Sequence, residues 1–298
     1  MSRNTDCIAE WFADLPQKRP FSFRAATTIG AGGTAPAALY PRSEAEFAET
    51  VARLEAQGIP FCVLGCGSNV LASDKGFGGA VIKTDRMETL RLLPQGIEAA
   101  CGVRIARLLS FAAANHCGGL EFLAGIPAST GGAVFMNAGA CGKFAAERVL
   151  SVRALYRGSV MEMTAEECAF SYKHSLFMDE PIYVLSAVFQ TVCGDKQSIL
   201  REIKRVLVRR SRLPRGKSMG CVFKNPSGCS AGELIEQAGL KGAFIGDAVV
   251  AREHANFILN RGGATASEIR SLIEHVRARV FENSGVTLEE EIRYIGEF

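Results

Sequence analysis

Alternating helix and strand signals joined by glycine-rich turns mark this chain as an α/β protein with a further α+β unit at its C-terminal end. Three observations carry that reading. A capped amphipathic helix runs straight into a short apolar strand and then a glycine-rich loop. The same strand–helix–glycine succession recurs further along. Beyond Gly194 the pattern changes to a basic helix, several short strands and one long amphipathic helix.

The elements follow in order. Residues 1–20 read as a short helical lead-in. Ser43 and Glu46 stand at capping-box spacing, where hydroxyl and carboxylate satisfy free N–H groups at a helix start. Phe47, Val51 and Leu54 then recur at helical spacing, and Gly58-Ile59-Pro60 stops the helix. Residues 61–64 (FCVL) form a short buried strand, and residues 97–101 predict the next. Ile105, Leu108, Leu109 and Ala112 mark one face of a helix that ends at residues 115–118. Residues 149–163 predict a hairpin turning at Arg157-Gly158-Ser159, and 181–192 a further strand. The basic helix spans about 195–212, with Ile199, Ile203, Val206 and Leu207 inward. Its RVLVRRSR end places cations against the C-terminal dipole, which needs no nucleic acid to explain it. A helix over 231–238, a strand pair across 248–260, a helix over 266–283 ended by Gly285, and a strand over 290–295 complete the chain. A domain boundary is expected near 194.

Composition sets limits on function. A hydrophobic fraction of 48% against 22% charged residues provides core material for a globular chain. A net charge of +3 is too small to argue for nucleic acid. No window holds the roughly 18 apolar residues of a membrane span, and the N-terminus has no apolar signal core. The 10 cysteines contain no C-x-x-C pair and no zinc spacing, so they read as reduced, cytoplasmic thiols with no metal site.

Two stretches carry ligand-binding character. Gly65-Cys66-Gly67-Ser68-Asn69 follows a strand, and its glycines allow backbone N–H groups to turn inward as an anion nest. Val70 stands where a Rossmann fingerprint has its third glycine, and no P-loop lysine follows. On spacing alone an ordinary tight turn is equally open. GIPASTGGAVFMNAGA (residues 125–140) is less ordinary, because its small residues let the chain pass close to a flat or extended ligand.

GCGSN, followed further along by LEFLAGIPASTGGAVFMNAGA, resembles the UDP-N-acetylenolpyruvoylglucosamine reductases of peptidoglycan synthesis, over about residues 27–296. The short segment after Lys173 is similar to the shorter type of that family. The resemblance implies a vanillyl-alcohol-oxidase-type (PCMH-type) FAD-binding fold over 1–194, in two α/β subdomains split near 85–95. A substrate-binding α+β domain over 195–298 follows. It implies FAD and NADPH as cofactors, a UDP-sugar substrate, and a monomer with no nucleic-acid or membrane partner. Gly65, Cys66, Gly67, Ser68 and Asn69 would hold the FAD pyrophosphate. Gly125, Ile126, Pro127, Ala128, Ser129, Thr130, Gly131 and Gly132 would line the pyrophosphate and isoalloxazine.

The same resemblance picks out three segments that spacing alone leaves as core or surface. In SYKHS (171–175) the family has an arginine after the tyrosine; here it is Lys173. In GCVFKNP (220–226) the family has a serine that protonates substrate carbon; here it is Cys221. In LEEEIR (288–293) the family glutamate maps to Glu291. These three would be catalytic: a cation and a shared proton for charge developing beside the substrate carboxylate, and an acid for carbon. Lys224, Asn225 and Arg212 would contact substrate or nicotinamide nucleotide. His254 reads as a hydrogen-bonded structural residue. Two other functions stay open on these residues: a sugar or aldonolactone oxidase of the same fold, and a non-catalytic flavin- or nucleotide-sugar-binding protein.

Overall fold

The computed structural model describes residue 8 and residues 10–298. The expected lead-in helix falls partly outside these residues; within them, Ile8 and Phe12 are buried in the first core and a strand begins at Gln17.

A four-stranded sheet comes first, in the order Gln17–Lys18, Ala37–Leu39, Ala80–Lys83, Phe61–Leu64. Its last three strands are parallel. The helix Glu44–Ala56 packs Phe47, Val51 and Leu54 into the core, each worth about 1.5–3 kcal/mol when fully buried. Ser43 caps it by accepting from Glu46 N–H at 3.2 Å. The expected box is only half made, because the Glu46 carboxylate turns to the Arg42 N–H and guanidinium instead.

A five-stranded antiparallel sheet follows, ordered Ser159–Thr164, Val149–Tyr156, Ile182–Gln190, Gly96–Ala100, Leu90–Leu93. The expected hairpin is present, and Arg157 and Gly158 both take positive φ at its turn. One hydrophobic core joins this sheet to the first. The helix Lys196–Arg210 also packs into that core, through Val206 and Ile203. Leu207, expected inward, is exposed.

A second core is built mainly from residues beyond this helix, joined by Ile29, Ala31 and Leu71. It lies between an antiparallel sheet (Lys217–Cys221, Phe257–Asn260, Ala248–Val250, Phe244–Ile245) and the helices Ala231–Gln237 and Ala266–Ser284. Ile269, Leu272, Ile273, Val276 and Val280 are all buried there, and Gly285 closes the long helix in the left-handed region.

Several ties set the two cores against each other. Arg293–Ile295 pairs in parallel with Val70–Ala72. Asn260 donates to the carbonyls of Ile29 and Gly30, and Thr28 donates to Ser218 O. Asp74 accepts from the N–H groups of Ala266 and Ser267 at the start of the long helix. The end of the chain therefore returns to the strand that follows the first glycine-rich loop, and this return assembles the site.

Candidate active site

The first glycine-rich loop is held open by its surroundings. The buried Lys83 ammonium donates to Gly65 O and pairs with Asp85 at 3.0 Å. Gly67 sits at φ +63, and its carbonyl accepts from Thr28 N–H. A Cβ at Gly67 would stand 2.7 Å from Ala26 O, so only glycine fits without moving backbone. Among the described residues, the N–H groups of Cys66, Gly67, Ser68 and Asn69 donate to no protein acceptor. They form the donor row that an anion nest requires. Burial raises the Cys66 thiol above its ordinary value.

The second loop is different in kind. It contains a short helix, Thr130–Phe135, which loop-like spacing did not suggest. Ser129 caps that helix by accepting from Gly132 N–H. Thr130 N–H donates to Val103 O and Gly131 N–H to Cys101 O, so these amides are already used. The Thr130 side chain is buried and donates to Val103 O as well. Gly125 and Pro127 are exposed, while Ile126 and Ala128 are half-buried. The glycines here serve close approach rather than donation. A Cβ on Gly65 would overlap Ser129 Oγ, which shows how near the two loops pass. Beside them the buried Thr84 Oγ1 has no hydrogen-bond partner, and it lies 3.9 Å from that same Cβ position. A donor row, a close second wall and an orphaned hydroxyl fit a dinucleotide such as FAD.

The chemical cluster gathers three distant segments. Lys173 Nζ donates to Glu291 Oε1 at 2.8 Å, and both side chains are largely buried. Lys173 itself takes φ +56, and the loop around it is pinned by Asn137 Nδ2 to Ser171 O and by Ser175 Oγ to Phe135 O. The end of the short helix in the second glycine-rich loop thus positions Lys173. Glu291 N–H donates to Val222 O, and Lys224 N–H to Glu289 O, which lays the C-terminal segment alongside Cys221. Burial first, and then the Glu291 carboxylate, push the Cys221 thiol up to about 11, against the pull of Lys173 and Arg210. Cys221 is therefore a thiol at neutral pH, able to donate a proton.

Asn69 connects cradle and cluster. Its side-chain amide donates to Glu291 O at 3.0 Å, and its own carbonyl accepts from Arg293 N–H. The side chain expected on a pyrophosphate is spent on the segment that carries Glu291, leaving its backbone N–H for a ligand.

The remaining candidates divide. Lys224 pairs with Glu289 at 2.6 Å. Asn225 Oδ1 accepts from Ala231 N–H at a helix start, while its N–H donates to Tyr172 OH. Arg212 is exposed, past the end of the basic helix at Arg210. His254 packs on the Phe257 ring and accepts from Asn256 N–H, a structural role. Sequence reasoning missed Arg210, half-buried and close enough for its charge to act on the Cys221 thiol. Helical spacing contained the signal: 210 follows Ile203 by seven and Val206 by four, on the inward face.

Comparison with known proteins agrees with this geometry. A family model described as the C-terminal domain of UDP-N-acetylenolpyruvoylglucosamine reductase matches residues 212–295, and an FAD binding domain model matches residues 35–163. The chain is 40% identical over 297 residues to the UDP-N-acetylenolpyruvoylglucosamine reductase of Heliobacterium modesticaldum, covering 98% of this chain and 93% of that one. It is 39% identical to that of Lactococcus lactis subsp. cremoris, covering 89% and 90%. The crystal structure of UDP-N-acetylenolpyruvylglucosamine reductase from Thermus caldophilus superposes with a TM-score of 0.81 at 34% identity, over 95% of this chain and 99% of that one. With matches this extensive in both halves, and with the cradle and cluster in one place, the chain belongs to the UDP-N-acetylenolpyruvoylglucosamine reductase family.

Proposed function

We propose that this chain reduces UDP-N-acetylglucosamine enolpyruvate to UDP-N-acetylmuramate with NADPH, as a step of peptidoglycan precursor synthesis, and that Cys221 is its proton donor. The division of labour follows the packing. The helix Lys196–Arg210 packs with the FAD unit, and the substrate unit is built mainly from the residues beyond it, with Ile29, Ala31 and Leu71 joining its core. Loop 65–69 would hold the pyrophosphate on its free N–H row, and loop 125–132 would wall the flavin. Bound there, FAD supplies the hydride.

The protein's own residues do the rest. Hydride addition to the terminal carbon of the enol ether places negative charge on the neighbouring carbon and its carboxylate. Lys173 and Glu291, held 2.8 Å apart, offer that charge a cation and a shared proton. The Cys221 thiol then gives its proton to the carbon and regains one from water. Sulfur is a weaker hydrogen-bond donor than a hydroxyl, but the proton is present at neutral pH. Lys173 supplies charge without the bidentate fork of arginine. The observation that carries the reading is the convergence of Lys173, Cys221 and Glu291 beside the cradle, tied by Asn69.

Nine described cysteines are unpaired, and no described helix is long and apolar enough to cross a membrane. Unpaired thiols suit a reducing compartment such as the cytoplasm. The direct test is anaerobic turnover with product analysis. NADPH oxidation should match, mole for mole, formation of a product heavier than substrate by two hydrogen atoms. NADPH oxidation without that product refutes the assignment.

A further inference from the structure

Charge bookkeeping at the cluster leaves one anion unanswered. The substrate brings a carboxylate into the site before any charge develops. Lys173 is held by Glu291 at 2.8 Å, so its ammonium already has one carboxylate beside it. Lys224 is held by Glu289 at 2.6 Å. The Arg293 guanidinium lies over the Phe135 ring. Each of these cations is engaged.

Arg210 is not. It stands on the inward face of the helix Lys196–Arg210, half-buried, where that helix meets the second glycine-rich loop. A Cβ on Gly125 would come 3.1 Å from Arg210 Nε, so the side chain packs closely against that glycine. Among the described residues its side chain makes no salt bridge and donates no hydrogen bond. The ionisable groups whose fields reach it are the thiols of Cys141 and Cys221, with no carboxylate. Removing a guanidinium from water without an acceptor costs free energy that a bound anion would return. Burial accordingly lowers the Arg210 guanidinium from its ordinary value. Its charge reaches the proposed proton donor, where it opposes the rise of the Cys221 thiol together with Lys173.

We infer that Arg210 binds the carboxylate of the enolpyruvyl group, supplying from the helix end the bidentate fork that Lys173 cannot form. This rests on the reading of the site as an enolpyruvyl reductase. Planar two-point contact with a carboxylate suits a guanidinium and not an ammonium. The division makes physical sense: Arg210 holds the carboxylate throughout, while the Lys173–Glu291 pair responds to the charge that develops next to it.

The test uses the FAD-loaded enzyme and two ligands that differ by the enolpyruvyl group. Binding of UDP-N-acetylglucosamine enolpyruvate and of UDP-N-acetylglucosamine is followed by the flavin spectrum for the parent, Arg210→Gln and Arg210→Lys. Arg210→Gln should weaken the enolpyruvyl ligand about 10- to 100-fold, the range of charged hydrogen bonds. It should leave UDP-N-acetylglucosamine within about twofold. Arg210→Lys should fall between, and Lys173→Arg added to Arg210→Gln should restore part of the loss. Equal weakening of both ligands would place Arg210 on the diphosphate or in the scaffold and overturn the inference, as would no weakening of either. If Arg210→Gln does not retain FAD, the Arg210→Lys comparison decides by the same ratio. A parent enzyme that binds the enolpyruvyl ligand but never reduces it would instead fault the functional reading.

Discussion

The cofactor cradle and the chemical cluster adjoin each other but are built from different materials. The cradle is backbone: free N–H groups at 66–69, and glycines where a side chain would collide. The cluster is side chains, an ion pair and a thiol gathered from positions 173, 221 and 291. A cradle made this way is sensitive to an added Cβ at its close approaches. A cluster made this way is sensitive to the loss of one proton or one cation, while the fold around it survives. Substitutions should therefore separate into those that lose flavin and those that keep flavin but lose the substrate step.

The largest effect is expected at Gly67. Gly67→Val puts branched carbon against Ala26 O and Thr27, and the purified protein should be nearly colourless, with activity lost in proportion to flavin. A yellow, active Gly67→Val enzyme would break the comparison on the cradle side. Next comes Cys221→Ala. It should bind FAD and accept hydride from NADPH at the parent rate, yet reoxidise with substrate about 10²–10⁴-fold more slowly, the usual span for a lost general acid. Lys173→Ala should slow the same half-reaction by about 10²–10³-fold, comparable to losing one oxyanion donor, while Lys173→Arg keeps substantial activity. Rapid-mixing absorbance of each half-reaction separately measures all of these.

The pH profile sharpens the comparison further. The Cys221 thiol is raised to about 11, so the protonated, donating form persists from neutrality upward. Its rate should stay level past pH about 8.5, where an unperturbed thiol would ionise, and fall only as pH approaches 11. Cys221→Ser should lack that alkaline fall. A limb near 8.5 in the parent, unchanged in the serine variant, would assign it to another group.

How much of this was legible in the sequence follows the same division. Backbone devices leave local marks. Ser43 and the Phe47, Val51, Leu54 spacing announced one helix, Gly285 ended another, and GCGSN announced the nest. What failed was what depends on tertiary partners. Glu46 has a capping-box position, but a neighbouring guanidinium competes for its carboxylate. Residues 130–135 are small and glycine-rich, poor helix formers, yet Ser129 and the packing of Ala133 and Val134 make them a helix. The cluster was found through family resemblance alone, since no spacing joins 173, 221 and 291. Arg212 came from the family resemblance, whereas Arg210 was not considered, although helix phase places it on the half-buried face.

The smallest effect belongs to the second glycine-rich loop. Ser129→Ala removes the cap on Gly132 N–H, and should cost about 1 kcal/mol of stability with flavin retained. Thermal unfolding of the FAD-loaded protein reads it. Loss of flavin on this substitution would mean that the second loop, too, binds through its donors.

The central claim is that cradle and cluster together pass reducing equivalents from NADPH to an enolpyruvyl ether, and anaerobic double-mixing tests it most directly. The oxidised enzyme is first mixed with NADPH, then with UDP-N-acetylglucosamine enolpyruvate. The flavin band should bleach in the first step and return in the second without oxygen, at a rate that rises with substrate concentration. A band that stays bleached with the enolpyruvyl substrate, and returns only when oxygen is admitted, would contradict it.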